Sequence, residues 1–376
     1  MSTVGERARS AVEELAGWMV RATVVERFSI AVASTLLALL IGAVIVDASG
    51  YDAVAFVSAL LYGAAGNISN LAFTLRQSTM LILTGVAVAI AFRAGVFNIG
   101  VQGQFVVGGF ATVLTVLALA PLLPGGVVGG IVLMLLGTIA AVVVGGSYAA
   151  LPGLMKAYSG ANEVITTIML NFIASGVVYF LIDAYLRPSG TSAPNTESLP
   201  EYVSLPGFAF GSGSFSVIGL AIALLAAVGV YVVMDRTRFG YDLVTSGYQE
   251  SAATYSGVDS KRTVVTTMVF SGMVAGLAGA MFAVMILGYY SDPNTFPTFG
   301  FDAIAVSLLA ANNPLGVIPA GLLFGGLDAG GQYIGFTLDV PAELVDGVIG
   351  LIVLFVAAPE LFRMSARRLG LGGDGK

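Results

Sequence analysis

Residues 30–46 read IAVASTLLALLIGAVIV, without a charged side chain and without alternation of apolar and polar positions. A transmembrane strand alternates over about ten residues, so this stretch is not one. At about 1.5 Å per residue it reads instead as a helix suited to a hydrocarbon core of about 30 Å. The run it belongs to covers 28–46. Comparable runs follow at 72–92, 104–120, 126–149, 163–183, 215–234, 263–287, 315–333 and 343–358, with a shorter one at 301–311. The fold class expected is all-α: a polytopic transmembrane helical bundle of about ten spans with interrupted helices. The tenth span requires the 301–311 piece to cross or re-enter.

Composition agrees. Of the 376 residues, 57% are hydrophobic and 10% charged. The mean hydropathy is +0.93. A soluble domain carries about 25% charged residues, so this chain cannot cover a water-facing surface. There is no cysteine and no histidine, which removes disulfides, thiolate or imidazole metal sites and imidazole bases. No catalytic residue, metal site or cofactor is expected.

Basic residues set the orientation. Arg7, Arg9, Arg21 and Arg27 precede the first run, and Lys156 follows the fourth. Arg236, Arg238, Lys261 and Arg262 bracket 235–262, and Arg363, Arg367, Arg368 and Lys376 close the chain. All fall on one side if the runs alternate. The other side holds Arg187 among Asp47, Asp52, Glu197, Glu201, Asp292, Asp339, Glu343 and Asp346. The bias predicts a cytoplasmic N-terminus and C-terminus. It also gives the organisation: an amphipathic, interfacial segment over 1–27, a membrane domain over 28–360 with a cytoplasmic loop at 235–262, and a tail at 361–376. The first segment places Val12, Leu15, Ala16, Met19 and Val20 on one helical face.

A P-loop needs G-x-x-x-x-G-K-[ST]. Lys156, Lys261 and Lys376 are the only lysines, and none stands in that context. The chain therefore does not hydrolyse ATP itself, and no enzyme activity is expected of it.

Three polar stretches interrupt the apolar pattern. In 91–104, AFRAGVFNIGVQGQ, the glycines 95, 100 and 103 weaken a helix while Asn98, Gln102 and Gln104 supply amides. This is either a gate or lining for a polar solute, or a capping turn between spans. In the fifth run Asn162 is placed to cap a helix, and Glu163, Thr167, Asn171 and Ser175 form one polar stripe. Such a stripe faces a path or bonds to a neighbouring helix. Asn171 is the better path candidate, and Glu163 is read as structural. In the 235–262 loop, Glu250, Ala252, Ala253 and Gly257 read as a short helix ended by a left-handed glycine. Either it ties two spans together or it offers a docking surface. GxxxG pairs at 125/129, 126/130, 272/276, 321/325 and 326/330 indicate close packing. Arg76 is read as a snorkelling side chain and Asp328 is left open.

The strings FRAGVFNIGVQGQF, ANEVITTIMLNFIA, SGMVAGLAGAMF and GFDAIAVSLLAANNPLGVIPAGLLFGGL together resemble permease subunits of ABC importers. The resemblance is to the branched-chain amino acid, simple-sugar and nucleoside permease family, and within it to the nucleoside and simple-sugar branch. It covers roughly 70–360. It implies a multi-pass plasma-membrane subunit, a homologous or identical second permease, cytoplasmic ABC ATPase subunits and an extracytoplasmic solute-binding protein, with no nucleic-acid partner. By the same resemblance the loop carrying Glu250, Ala252, Ala253 and Gly257 couples to the ATPase. Where the family commonly has Asn soon after the loop's glycine, this chain has Tyr248 and Gln249 after Gly247. The substrate path expected is Asn98, Gln102, Gln104 and Asn171, with Asn312 and Asn313 near the inner mouth. The competing readings are an ion-coupled secondary transporter, which would lean on Asp328, and a permease for branched-chain amino acids.

Overall fold

The computed structural model describes residues 24–205, 207, 215–248, 255 and 257–368. These are helical almost throughout, and the described residues contain no strand. Asn195 and Ser291 form a single antiparallel bridge. Twelve helices are described: α1 (Val24–Ala48), α2 (Ala53–Ala65), α3 (Ile68–Arg93), α4 (Val101–Leu119), α5 (Val127–Ser159), α6 (Glu163–Leu181), α7 (Val217–Arg236), α8 (Arg238–Tyr248), α9 (Ser260–Phe282), α10 (Phe299–Leu309), α11 (Val317–Thr337) and α12 (Ala342–Arg368). Six described segments are long and apolar enough to cross a membrane: Ile68–Arg93, Val101–Leu122, Val127–Ser159, Glu163–Leu186, Val217–Arg236 and Ser260–Leu287.

Several boundaries differ from the sequence reading. Helix α2 was not expected. Its signal is the Asp52 carboxylate, which accepts from the Val54 and Ala55 amides at 2.9 Å and starts the helix. Helix α5 runs ten residues past the apolar run, through Pro152, because its lower part still packs on α9: Gly153 lies against Met268. Helix α10 has 11 residues, about 17 Å, and is too short to cross alone. Helix α8 is an unexpected helix inside the 235–262 loop. The interfacial segment expected before residue 24 and the end of the tail after residue 368 lie outside the described residues.

The chain divides into two units, residues 1–66 with 327–376, and residues 67–326. In the first, α1 packs on α12. A Cβ on Gly42 would sit 2.6 Å from a Val348 methyl, and one on Gly330 would sit 2.4 Å from the Leu60 carbonyl. In the second, α9 is buried along most of its length between α3, α4 and α5. The packing is backbone on backbone. A Cβ on Gly276 would fall 2.2 Å from Ala141 O, one on Gly145 2.5 Å from Gly272 O, and one on Gly108 2.6 Å from Gly276 Cα. Close approach of this kind is what small residues permit where there is no water to drive association. The 272/276 pair expected from spacing is at this contact, and its partners Gly108 and Gly145 come from helices with no matching repeat.

Candidate functional site: the break between α3 and α4

Helix α3 stops at Arg93. Its last turn closes through the Ala94, Gly95 and Val96 amides bonding back to Ala91 and Phe92, with Gly95 at φ +69. Helix α4 restarts at Val101, so residues 94–100 are the interruption anticipated from the glycines. Three sets of side-chain amides bond within the break or from it to neighbouring segments. Non-helical backbone inside a bundle needs such partners.

The first set is internal. Asn98 and Gln104 exchange two amide hydrogen bonds, at 2.9 and 3.0 Å. Asn98 Nδ2 also donates to Ser271 Oγ on α9 at 2.8 Å, and that hydroxyl donates to the Ala87 carbonyl on α3 at 2.6 Å. The second is Asn171 on α6. Its Oδ1 accepts from the Gly103 amide at 2.8 Å, and its Nδ2 donates to the Ile99 carbonyl at 2.9 Å. The third is Gln102, on α4 itself. Its Oε1 accepts from the Gly300 amide at 2.7 Å, and its Nε2 donates to Pro297 O at 3.1 Å. All four amides are buried. In this conformation they face protein, each bonded through both its oxygen and its nitrogen.

An aromatic cluster surrounds the Gln102 contact. Phe105 lies 5.1 Å from Phe282 and 6.1 Å from Phe299, and Tyr290 lies 5.1 Å from Phe296. Tyr290 donates its hydroxyl to Val106 O at 2.6 Å. Complete burial pushes that phenol well above its ordinary value, so it remains a donor. Residues 196–205 run along the end of α9. The Thr196 and Leu199 amides donate to Tyr290 O and Gly288 O at 2.8 and 2.7 Å. They serve carbonyls beside the wider turn at Ala283–Leu287. Ser271, Tyr290 and Gly300 escaped the sequence reading. Their side chains or backbones act on partners more than 170 positions away.

The other wall of the break meets α8. Gly95 and Gly247 touch through their backbones: a Cβ on Gly247 would fall 2.4 Å from Ala94 C. A cavity of about 190 Å³ opens beside this contact, lined among others by Lys156, Ser246, Ser260, Thr263 and Thr267. Lys156 is ion-paired with Glu163, whose place in the first turn of α6 also suits the helix dipole. Asn162 caps that helix, accepting from Val164 and Ile165 at 2.9 and 3.2 Å. Arg93, at the end of α3, pairs with Asp235, at the end of α7, with both side chains about a quarter exposed (27% and 25%). At that exposure Arg93→Ala should cost about 1 kcal/mol or less. A double-mutant cycle with Asp235→Ala, read by thermal unfolding, checks it.

The remaining candidates are spread out. Asn312 lies in a turn after α10, with Ala311 at φ +50 and Asn312 at φ +58, and its Oδ1 accepts from Ser307 at 3.0 Å. Asparagine tolerates the left-handed region; alanine at 311 is strained there. Asn313 caps the next turn through the Leu315 amide, also at 3.0 Å. Gln332 donates to Asp328 at 3.4 Å. Arg76 stacks over Phe73, 4.2 Å from the ring centre. Glu250, Ala252 and Ala253 lie outside the described residues, while Gly257 is described with φ +86.

Comparison with known proteins identifies the family. The family described as "branched-chain amino acid transport system / permease component" matches residues 70–357. The guanosine ABC transporter permease protein NupP of Bacillus subtilis is 35% identical over 346 residues, 89% of this chain and 94% of that one. The nucleoside ABC transporter permease protein NupB of Lactococcus lactis is 31% identical, over 85% of this chain and 87% of its own length. A glucose ABC transporter permease protein of Haloferax volcanii is 30% identical, over 91% and 90%. No solved structure matches the chain. With a family match across most of its length and relatives aligned nearly end to end, the chain belongs to the branched-chain amino acid transport system permease family and is a multi-pass membrane protein.

Proposed function

We propose that the chain is the membrane subunit of an ATP-driven importer, that it carries a nucleoside or a simple sugar, and that a cytoplasmic ATPase supplies the work. The observation that carries the cargo class is the chemistry of the interior. Among the described residues, every buried polar side chain is an amide or a hydroxyl, and none is charged. A zwitterionic amino acid or a coupling cation draws on buried charges, helix ends or unwound carbonyls. A hydroxyl-rich neutral solute calls for amides and hydroxyls. Relatives named for guanosine, nucleosides and glucose support the same class. The missing P-loop lysine puts ATP hydrolysis on another subunit.

On this reading the topology has about ten spans. The segment 94–100 and the short α10 are interruptions inside the bundle, and both termini face the cytoplasm by the positive-inside bias. A homologous or identical second permease completes the pathway, and an extracytoplasmic binding protein delivers the solute. Asn98, Gln102, Gln104 and Asn171 shape the path wall from within, and Asn312 and Asn313 stand near its inner mouth. The 235–262 loop, with Glu250, Ala252, Ala253 and Gly257, takes the thrust of the ATPase. Its residues 250–257 follow α8, whose Gly247 rests on the break.

Ala253→Asp tests the coupling role. A carboxylate buried in a docking interface without a partner costs about 2 kcal/mol or more. Uptake of labelled nucleoside by vesicles holding the complete transporter should therefore fall at least about tenfold, with chain yield and melting unchanged. Uptake at the original rate would remove 250–257 from the coupling surface.

A further inference from the structure

The two amides that bond only to backbone share one feature. Each bridges an N–H and a C=O of one segment at the start of a helix. The first bond inside α4 runs from Gln104 N to Gly100 O at 3.0 Å. The next bond outward would join Gly103 N to Ile99 O, and the Asn171 amide occupies that place, bonded to both atoms. At α10 the Gln102 amide joins Gly300 N to Pro297 O, three positions apart rather than the four of an α-helical bond. The backbones press close at both, and at Gly300 close enough to require glycine. A Cβ on Gly103 would lie 3.0 Å from Asn171 Cα, and one on Gly300 would lie 2.3 Å from Gln102 N.

The two clamps are in series. Asn171 belongs to α6 and holds the start of α4; Gln102 belongs to that same turn of α4 and holds the start of α10. We propose that the first turn of α4 is a mechanical relay in which Asn171 and Gln102 are positioning residues, passing a displacement of α6 on to Gly300. The physical reason is the cost of separation. If α4 did not follow Asn171, the buried Gly103 N–H and the part-buried Ile99 C=O would lose their partners together. At α10 the loss falls on the buried Gly300 N–H, since Pro297 is exposed. The bond from Asn98 to Ser271 anchors the residues just before this turn to α9. The relay depends on neither the cargo nor the energy source.

Hydrogen exchange of the purified full chain, read by mass spectrometry over 99–104 and 297–302, tests it. Gln102→Leu should speed exchange about tenfold at 297–302 and leave 99–104 unchanged. Asn171→Leu should speed exchange at both, although Asn171 touches only the first. Asn171→Asp keeps the size and the acceptor for Gly103 but loses the donor to Ile99. It should give the same two-site pattern at smaller amplitude, and it decides the matter if the leucine variant does not fold. Gln102→Glu, which still accepts from Gly300, should hold exchange at 297–302 nearer the original rate than Gln102→Leu does. Acceleration confined to 99–104 in the Asn171 variants would overturn the relay, as would acceleration spread equally through α3 and α9.

Discussion

Gly276→Val should leave little folded chain in the membrane. The added Cβ meets Ala141 O at 2.2 Å, with the Gly145 Cα at 3.3 Å, and Gly108 packs on the same spot from α4. These neighbours are backbone, so no rotamer change makes room. Overpacking of this kind costs typically 1–3 kcal/mol, and a site where three helices meet on backbone belongs at the upper end, about 3 kcal/mol. That is a large fraction of the stability of most proteins. Thermal unfolding in detergent, followed by size-exclusion chromatography, measures it. Gly176→Ala and Gly229→Ala are the controls: nothing lies within 4 Å of a Cβ at either position, and both should melt with the parent chain. Equal melting of Gly276→Val and the controls would mean that α4, α5 and α9 do not meet as described.

Gly247→Val should produce the opposite combination, a folded chain that no longer transports. Its Cβ would fall 2.4 Å from Ala94 C and 2.6 Å from Ala94 O, so the end of α8 must lift away from residues 94–95. This contact lies at the edge of the bundle, next to the cavity lined by Ser246 and Thr263, where a retreat disturbs little of the core. If thrust from the ATPase passes from the loop after α8 into the break, separating these backbones removes the transmission. Nucleoside uptake should fall at least about tenfold while melting and ATPase binding are retained, since a lost mechanical contact acts on turnover rather than on association. Uptake at the parent rate would show that the glycine contact is packing alone.

The helices were legible because the membrane imposes a length and an apolarity that few other structures need. Even so, the account of 53–65 failed. That run is short and follows a polar turn, and only the Asp52 cap and the closing Gly66 mark it as a helix. Helix was likewise missed at 150–159, where Pro152 and the more polar residues concealed a continuation held by packing against Met268. At the break, Gly95, Gly100 and the amides were visible as an interruption, and Asn162 as a cap. What they bond to was not. Gln102 binds backbone atoms of a segment 195 and 198 positions away, and a backbone acceptor leaves no mark in side-chain spacing. Ser271 was equally hidden, an ordinary small residue in SGMVAGLAGAMF until the fold sets it between Asn98 and Ala87.

The central claim is that the chain is a conduit whose work is done by a nucleotide-hydrolysing partner. It is tested most directly by reconstituting the chain into liposomes, alone and with its cognate ATPase, second permease and binding protein, and following labelled nucleoside or sugar. The account predicts accumulation with the complete set and ATP, and none by the chain alone under an imposed proton or sodium gradient. Accumulation by the chain alone, driven by either gradient, would contradict it.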